Sequence, residues 1–66
     1  MAVLKVIELM ANSHESWEDA TKRALAQASK SVDNIRSVYI QDQSASVKDG
    51  KIDEYRVNVK VTFEVI

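Results

Sequence analysis

The last twelve residues of the chain, 55–66, alternate apolar and polar side chains without interruption. The apolar set is Tyr55, Val57, Val59, Val61, Phe63 and Val65, and the polar set is Arg56, Asn58, Lys60, Thr62 and Glu64. A period of two among β-branched and aromatic residues predicts a strand with one buried face. At ~3.3 Å per residue this strand would run roughly 40 Å, which is more than one short helix covers. We predict that it is the central strand and that its uncovered length needs another partner.

A second strand is predicted over residues 3–10, which are too few for a helix with a clear apolar stripe and are rich in branched side chains. Its apolar residues fall on both faces: Leu4, Val6 and Met10 on one, Val3, Ile7 and Leu9 on the other. Such a distribution fits a strand covered by a helix on one side and by another copy of the chain on the other. An edge strand with stray apolar side chains is the alternative.

A helix is predicted to begin at Asn12-Ser13, with Ser13 as the N-cap and acidic residues in the first turn, where the helix dipole favours them. The pattern predicts an end near Ser31 with a basic last turn. Helical spacing places one apolar stripe on Trp17, Ala20, Ala24, Leu25, Ala28 and Val32. Because Trp17 lies on that stripe, we interpret it as a core or interface anchor rather than a platform for a ligand.

Residues 32–35 are predicted to turn the chain into a strand over residues 36–47. Alternation puts Val38 and Ile40 on one face of this strand, and Ser37, Tyr39 and Gln41 on the other. Asp49-Gly50 follows, and Asp-Gly between two strand-like runs is a strong signal for a tight antiparallel hairpin.

These elements predict an α+β fold in the order β-α-β-β, with one helix packed across a three-stranded antiparallel sheet in a single domain of residues 1–66. A 66-residue domain buries only about 60% of its unfolded surface and is marginally stable without reinforcement. The chain has no cysteine for disulfides, and its one histidine does not make a zinc site alone. Self-association is therefore the expected reinforcement.

Charge and hydropathy narrow the range of partners. Nine basic residues are scattered among ten acidic ones, giving a net charge of −1, which argues against a nucleic-acid footprint. No apolar run is long enough to span a membrane, so we expect a cytoplasmic protein. The only histidine, His14, is interpreted as a solvated side chain.

The sequence lacks the constellations on which most enzymes rely. It has no cysteine nucleophile, and its single glycine does not form a phosphate-binding loop. Carboxylates on or beside the predicted strands, Glu8, Asp42, Asp53 and Glu54, are ordinary surface charge in a monomer. Repeated around a symmetry axis, they would supply oxygen ligands for a hard cation.

The chain resembles the dodecin family along nearly its whole length. The matching segments, in order, are VIEL, NS, ESWEDA, SVDNI, YRV and VTFE. The resemblance implies a β-α-β-β subunit whose sheet wraps its helix, and twelve such subunits forming a hollow spherical shell. It also implies flavin held in pairs at two-fold axes, and a role in storing or quenching flavin rather than in catalysis.

Two residues depart from the flavin-binding pattern of that family. Flavin-binding members place a tryptophan at the position of Ser37, where its indole stacks on the isoalloxazine, and a glutamine at the position of Arg56. Tyr39 and Arg56 are possible substitutes. Loss of a stacking contact weakens binding by about 1–3 kcal/mol, so we expect riboflavin or FMN to bind weakly. A calcium-binding branch of the family has this character, and Asp42 matches a position where an acidic residue of some dodecins holds a cation at a symmetry axis.

Three hypotheses follow. In the first, the chain forms a homododecameric shell that binds and buffers a small molecule, flavin by family resemblance. In the second, the same shell has no flavin site and binds Ca²⁺ or Mg²⁺ in a structural or storage role. The third, an enzyme, is the least supported because the sequence contains no catalytic constellation.

Overall fold

The computed structural model describes residues 2–65, which form three strands and one helix. In chain order they are β1 (Val3–Ser13), α1 (Trp17–Ala28), β2 (Ile35–Lys48) and β3 (Lys51–Val65). The sheet is antiparallel with the order β1-β3-β2, so β3 is central, as its alternation predicts. The predicted β-α-β-β fold is confirmed. The predicted end of the central strand at Ile66 lies outside the described residues.

The core is a contact between three alanines of α1 and three valines of β3. Ala20, Ala24 and Ala28 are buried on the helix side, and Val57, Val59 and Val61 are buried on the sheet side. Fully burying a valine is worth about 1.5–3 kcal/mol. Because the side chain of alanine is only a methyl group, the helix backbone lies close to the sheet. The helix alone therefore covers the three valines. The buried face predicted for the central strand is confirmed at these three valines, whereas Tyr55 and Phe63 are half-buried and Val65 is 45% exposed.

The helix begins later than the sequence pattern predicts. Ser13, the predicted N-cap, is instead the last residue of β1, where it pairs with Tyr55. Ser16 caps the helix, and its hydroxyl accepts a hydrogen bond of 2.9 Å from the backbone N–H of Asp19. The prediction was wrong because β1 runs three residues beyond residue 10 and uses Ser13 in the sheet, leaving the second serine to cap.

The helix also ends earlier than predicted. Regular α-helix stops at Ala28 rather than near Ser31, and its last turn contains no basic residue. Beyond Ala28 the backbone tightens, with Lys30 donating to the carbonyl of Gln27 and Ser31 to that of Ala28. Such three-residue bonds are common where α-helices end. The predicted basic last turn therefore lies in this tightened segment outside the helix.

The hairpin between β2 and β3 is confirmed at the predicted turn. Asp49 and Gly50 have φ values of 54° and 74°, as a two-residue type I′ turn requires. The sheet register shifts within β2 at Arg36 and at Gln41, each an extra residue opposite β3. Gln41, predicted to share a face with Ser37 and Tyr39, is thus an unpaired bulge residue.

Trp17 anchors the helix to the hairpin. Its indole N–H donates a 2.8 Å hydrogen bond to the backbone carbonyl of Ser44. Its ring packs edge-on against the ring of Tyr55, with the two ring centroids 4.8 Å apart. Both contacts lie on the helix side of the sheet, which agrees with its interpretation as an anchor. The structure measures 51 × 19 × 13 Å, so the hairpin extends far past the helix. Val47 and Ile52, near its tip, are exposed.

A small polar network links the end of β1 to the helix. The hydroxyl of Ser13, only 5% exposed, donates to the carboxylate of Asp19 at 2.6 Å and accepts from the backbone N–H of Glu15 at 2.9 Å. The guanidinium of Arg23 donates to the same carboxylate oxygen at 2.6 Å. The hydrogen bond from Ser13 and, after it, that from Arg23 lower the pKa of Asp19 below its ordinary value of 3.8.

We predict that Asp19 makes stability depend on acid pH. The pKa of Asp19 is lower in the folded state than its ordinary value of 3.8 in the unfolded chain. The ionised carboxylate therefore contributes its full stabilisation at pH values above 3.8, and this contribution is lost as the pH falls through the folded-state pKa. The melting temperature of Asp19→Asn should therefore be lower than that of the parent at pH 7, and the difference should shrink toward pH 2. The control Glu18→Gln removes an exposed charge from the same helical turn. An equal difference at both pH values would contradict the prediction.

Candidate functional site

The sheet face turned away from α1, which we call the open face, contains most of the candidate residues. β1 contributes Leu4, Val6, Glu8, Met10 and Asn12 to it, β2 contributes Ser37, Tyr39, Asp42, Ser44 and Ser46, and β3 contributes the polar residues from Glu54 to Glu64. Its β1 edge is apolar and exposed, with Met10 66% accessible. The rest is polar, so the open face combines a surface suited to association with one suited to a ligand.

The residues predicted at the flavin-facing positions share the open face but lie far apart. Ser37 pairs with Thr62, and Arg56 pairs with Ser44. Along β3, Thr62 and Arg56 are six residues apart, a distance of roughly 20 Å at ~3.3 Å per residue. A three-ring ligand therefore does not contact both positions within one chain.

Tyr39 is the aromatic residue of β2 on the open face. It pairs with Lys60, two positions from Ser37, and is 62% exposed. An exposed phenol ring offers a stacking surface, although it lies one pleat away from Ser37. An aromatic side chain therefore lies near Ser37, the position that the family resemblance predicts to face flavin, and Ser37 itself offers only a hydroxyl.

Asp42 owes its position on the open face to the bulge at Gln41. Strict alternation from Val38 and Ile40 would turn Asp42 toward the helix, but the extra residue reverses the pattern and sets Asp42 opposite Asn58. Its carboxylate is exposed. Within residues 2–65 no three metal-binding side chains converge. Because Ca²⁺ takes six to eight oxygen ligands, the carboxylate of Asp42 in one chain supplies too few of them for a calcium site.

A shallow pocket surrounds Arg56 at the hairpin end of the open face. Its volume is about 110 Å³ and its lining is Asn12, Ser44, Ala45, Ser46, Glu54 and Arg56. The Nε–H of Arg56 donates to the amide oxygen of Asn12 at 2.9 Å, which fixes the guanidinium across β1 and β3. The sequence pattern does not predict this pocket. The pocket depends on the bulge at Gln41, and no residue pattern indicates that bulge.

The remaining candidates are dispersed. His14 is exposed, as predicted, and its Nδ1 lies 3.1 Å from the backbone carbonyl of Asp53, so the ring joins the loop after β1 to β3. Glu8 lies opposite Lys60 on the open face. Across residues 2–65, no helix is long and apolar enough to cross a membrane.

Comparison with known proteins agrees with this architecture. The dodecin family model matches residues 3–66. The calcium dodecin of Mycobacterium tuberculosis is 35% identical over 65 residues, which are 98% of this chain and 92% of that protein. A solved structure of calcium dodecin from the same organism, described as having a novel calcium-binding site, is 38% identical with a TM-score of 0.83 and covers 97% of this chain and 91% of its own.

A second solved structure, a dodecin variant of Thermus thermophilus, has a TM-score of 0.94 at 27% identity and covers 100% of this chain and 98% of its own. The family match thus extends through every strand and the helix, including the segment that forms the open face. The chain belongs to the dodecin family.

Proposed function

We propose that this chain, as one dodecin-like domain of residues 1–66, is the subunit of a homododecameric shell that binds calcium in a storage or structural role. The open face carries the proposal: it has a hydroxyl where a stacking ring is expected, at Ser37, and an exposed carboxylate at Asp42. The 35% identity to the calcium dodecin of M. tuberculosis supports the same ligand. A cytoplasmic location stays a prediction.

Assembly is supported by the apolar surface that one chain leaves uncovered. On the open face Leu4, Val6 and Met10 are between 51% and 66% exposed, and at the hairpin tip Val47 is 68% exposed. These side chains lie on a long sheet with two unpaired edge strands, which promotes association. Other copies of the chain are the proposed cover, because a closed shell buries such edges and patches without leaving new ones.

Calcium binding is proposed to need several copies. One chain brings the Asp42 carboxylate and, opposite it, the amide oxygen of Asn58, both of the hard oxygen type that Ca²⁺ prefers. Two or three such sets around an axis approach the six to eight oxygens that the ion takes. Bound calcium would also offset the repulsion between the converging carboxylates.

Flavin is the second candidate, and Tyr39 is the observation that favours it. An exposed phenol and the guanidinium of Arg56 are both able to stack on a flat ring. Since these residues lie on different pleats of one chain, a flavin would have to be held between copies. We propose that riboflavin and FMN bind weakly, and that the shell acts by binding rather than by catalysis.

We predict a homododecamer in solution. Static light scattering after size-exclusion chromatography should give about twelve times the 7.4 kDa subunit mass at micromolar concentration. Met10→Lys should lower this mass, because a charge buried between subunits is costly. The control Lys22→Glu changes an exposed residue of the helix and should leave the mass unchanged. A monomeric parent would contradict the assembly.

We predict that calcium stabilises the shell through Asp42. A ligand at a hundred times its dissociation constant adds about 2.7 kcal/mol to the free energy of unfolding, so calcium or magnesium should raise the melting temperature of the parent. Asp42→Ala should abolish the increase. Asp33→Ala, which removes an exposed carboxylate outside the strands, should retain it. An increase of the same size in Asp42→Ala would exclude this residue from the cation site.

We predict that flavin binding improves when the stacking pair is restored. Ser37→Trp supplies an indole surface, and Arg56→Gln supplies an amide without a charge that needs solvation. One stacking contact of about 1–3 kcal/mol corresponds to roughly five-fold to hundred-fold tighter binding.

The measurement is flavin fluorescence quenching for the parent, both single variants and the double variant at equal subunit concentration. Lys48→Trp, which adds an indole beside the hairpin turn, controls for unspecific stacking. Tight binding by the parent, or no gain in a double variant that still assembles, would show that these positions do not form the flavin site.

A further inference from the structure

The turn between β2 and β3 carries a side chain that none of the proposed ligands uses. Asp49 is exposed, and within residues 2–65 its carboxylate belongs to neither of the two ion pairs. The residues on either side of the turn, Lys48 and Lys51, pair with each other across the sheet. The carboxyl group of Asp49 is therefore in water and rotates freely about its own side-chain bonds.

The residue after Asp49 offers an unhindered backbone nitrogen. Gly50 is exposed, and a Cβ atom built on it has no other atom within 4 Å. In a two-residue turn the closing hydrogen bonds join the residues on either side, here Lys48 and Lys51, so the N–H of Gly50 has no part in the ladder. A carboxyl group and a free backbone nitrogen are thus neighbours in the chain.

Neighbours of this kind react with each other. The backbone nitrogen of Gly50 attacks Cγ of the protonated Asp49 side chain, a C–N bond forms, a C–O bond breaks, and the hydroxyl leaves with the N–H proton as water. The product is a five-membered succinimide ring, which water then opens at either carbonyl. Opening at the side-chain carbonyl restores aspartate. Opening at the backbone carbonyl leaves isoaspartate, in which the chain runs through the side chain, and no other reactant is required.

The other aspartates of the chain lack this combination. Each is followed by a residue whose Cβ atom crowds the attacking nitrogen; the pairs are Asp19-Ala20, Asp33-Asn34, Asp42-Gln43 and Asp53-Glu54. The carboxylate of Asp19 is also held by Ser13 and Arg23. Because the chain contains a single glycine, Asp49 is the one aspartate that a glycine follows.

The turn lies where the fold has little cover. It is at the end of the hairpin, and the apolar side chains nearest to it are exposed, Val47 at 68% and Ile52 at 50%. Regions with few buried contacts open locally at a low cost in free energy. Attack requires the side chain of Asp49 to swing over the nitrogen of Gly50. A local opening of the turn allows this movement without disturbing the buried core.

Isoaspartate does not fit the turn in which it forms. A type I′ turn needs positive φ at both central residues, which are at 54° for Asp49 and 74° for Gly50. Isoaspartate adds one carbon atom to the backbone and keeps the negative charge. The turn is then longer, while the strands on either side of it are not. The pairing of Lys48 with Lys51, which is closest to the turn, is lost as a result.

We propose that Asp49 is a site of spontaneous isomerisation to isoaspartate, and that this modification opens the tip of the hairpin as the protein ages. The reaction takes place within one chain and needs only water, so it depends on no ligand reaching the turn. It involves neither the cation nor the flavin of the proposed function, and the inference therefore goes beyond that function.

The test incubates the assembled parent at physiological temperature in a mildly acidic buffer and locates isoaspartate by mass spectrometry with electron-transfer fragmentation. Isoaspartate should accumulate at residue 49 at least tenfold faster than at any other aspartate. Asp49→Gly, which keeps a residue suited to positive φ, should abolish it. Gly50→Asn, which also tolerates positive φ but adds a Cβ atom, should slow it at least threefold. Amide hydrogen exchange at Lys48 and Lys51 should be at least tenfold faster in the isomerised fraction.

Three outcomes would overturn the inference. Isoaspartate forming at residue 49 no faster than at the other aspartates would show that the turn keeps the carboxyl group away from the nitrogen. An unchanged rate in Gly50→Asn would show that the glycine does not set the reactivity. Unchanged amide exchange in isomerised chains would show that the turn accommodates the product. The scattering mass is measured on the same samples, so a failure of assembly is recognised separately.

Discussion

The contact between the alanines of α1 and the valines of β3 determines how much of the sheet is covered by the helix of the same chain. With methyl groups at Ala20 and Ala24, the helix lies close against Val57 and Val59. A twelve-residue helix is only about 18 Å long, whereas the structure extends over 51 Å. On the helix side of the sheet, the hairpin therefore extends beyond the helix that covers it. The open face lies on the other side of the sheet and is left for other molecules.

The bulge at Gln41 determines which residues share that open face. Before it, Ser37 and Tyr39 face away from the helix; after it, Asp42 and Ser44 do so. Without the extra residue, Asp42 would turn toward the helix layer, where an unpaired carboxylate is costly to bury. One inserted residue thus moves both the candidate cation ligand and the serine beside Arg56 to the ligand side of the sheet.

Strict periodicity made the central strand and its buried face predictable, and Asp49-Gly50 made the hairpin predictable, because in both cases a local preference agrees with the tertiary contact. The ends of the helix were mispredicted. Ser13 and Ser16 both suit an N-cap, and only the length of β1 decides between them. No residue pattern indicates the pocket around Arg56, because its lining residues meet only after the bulged strands are paired.

The spacing along β3 links ligand binding to assembly. Because Ser37 and Arg56 are roughly 20 Å apart in one chain, a ligand that touches both kinds of position must lie between subunits. The same reasoning applies to the cation proposed at Asp42, because within residues 2–65 no three acidic, histidine or cysteine side chains converge in one chain. A ligand bound between copies binds the assembled form and not the separate subunit, so by mass action it stabilises the shell.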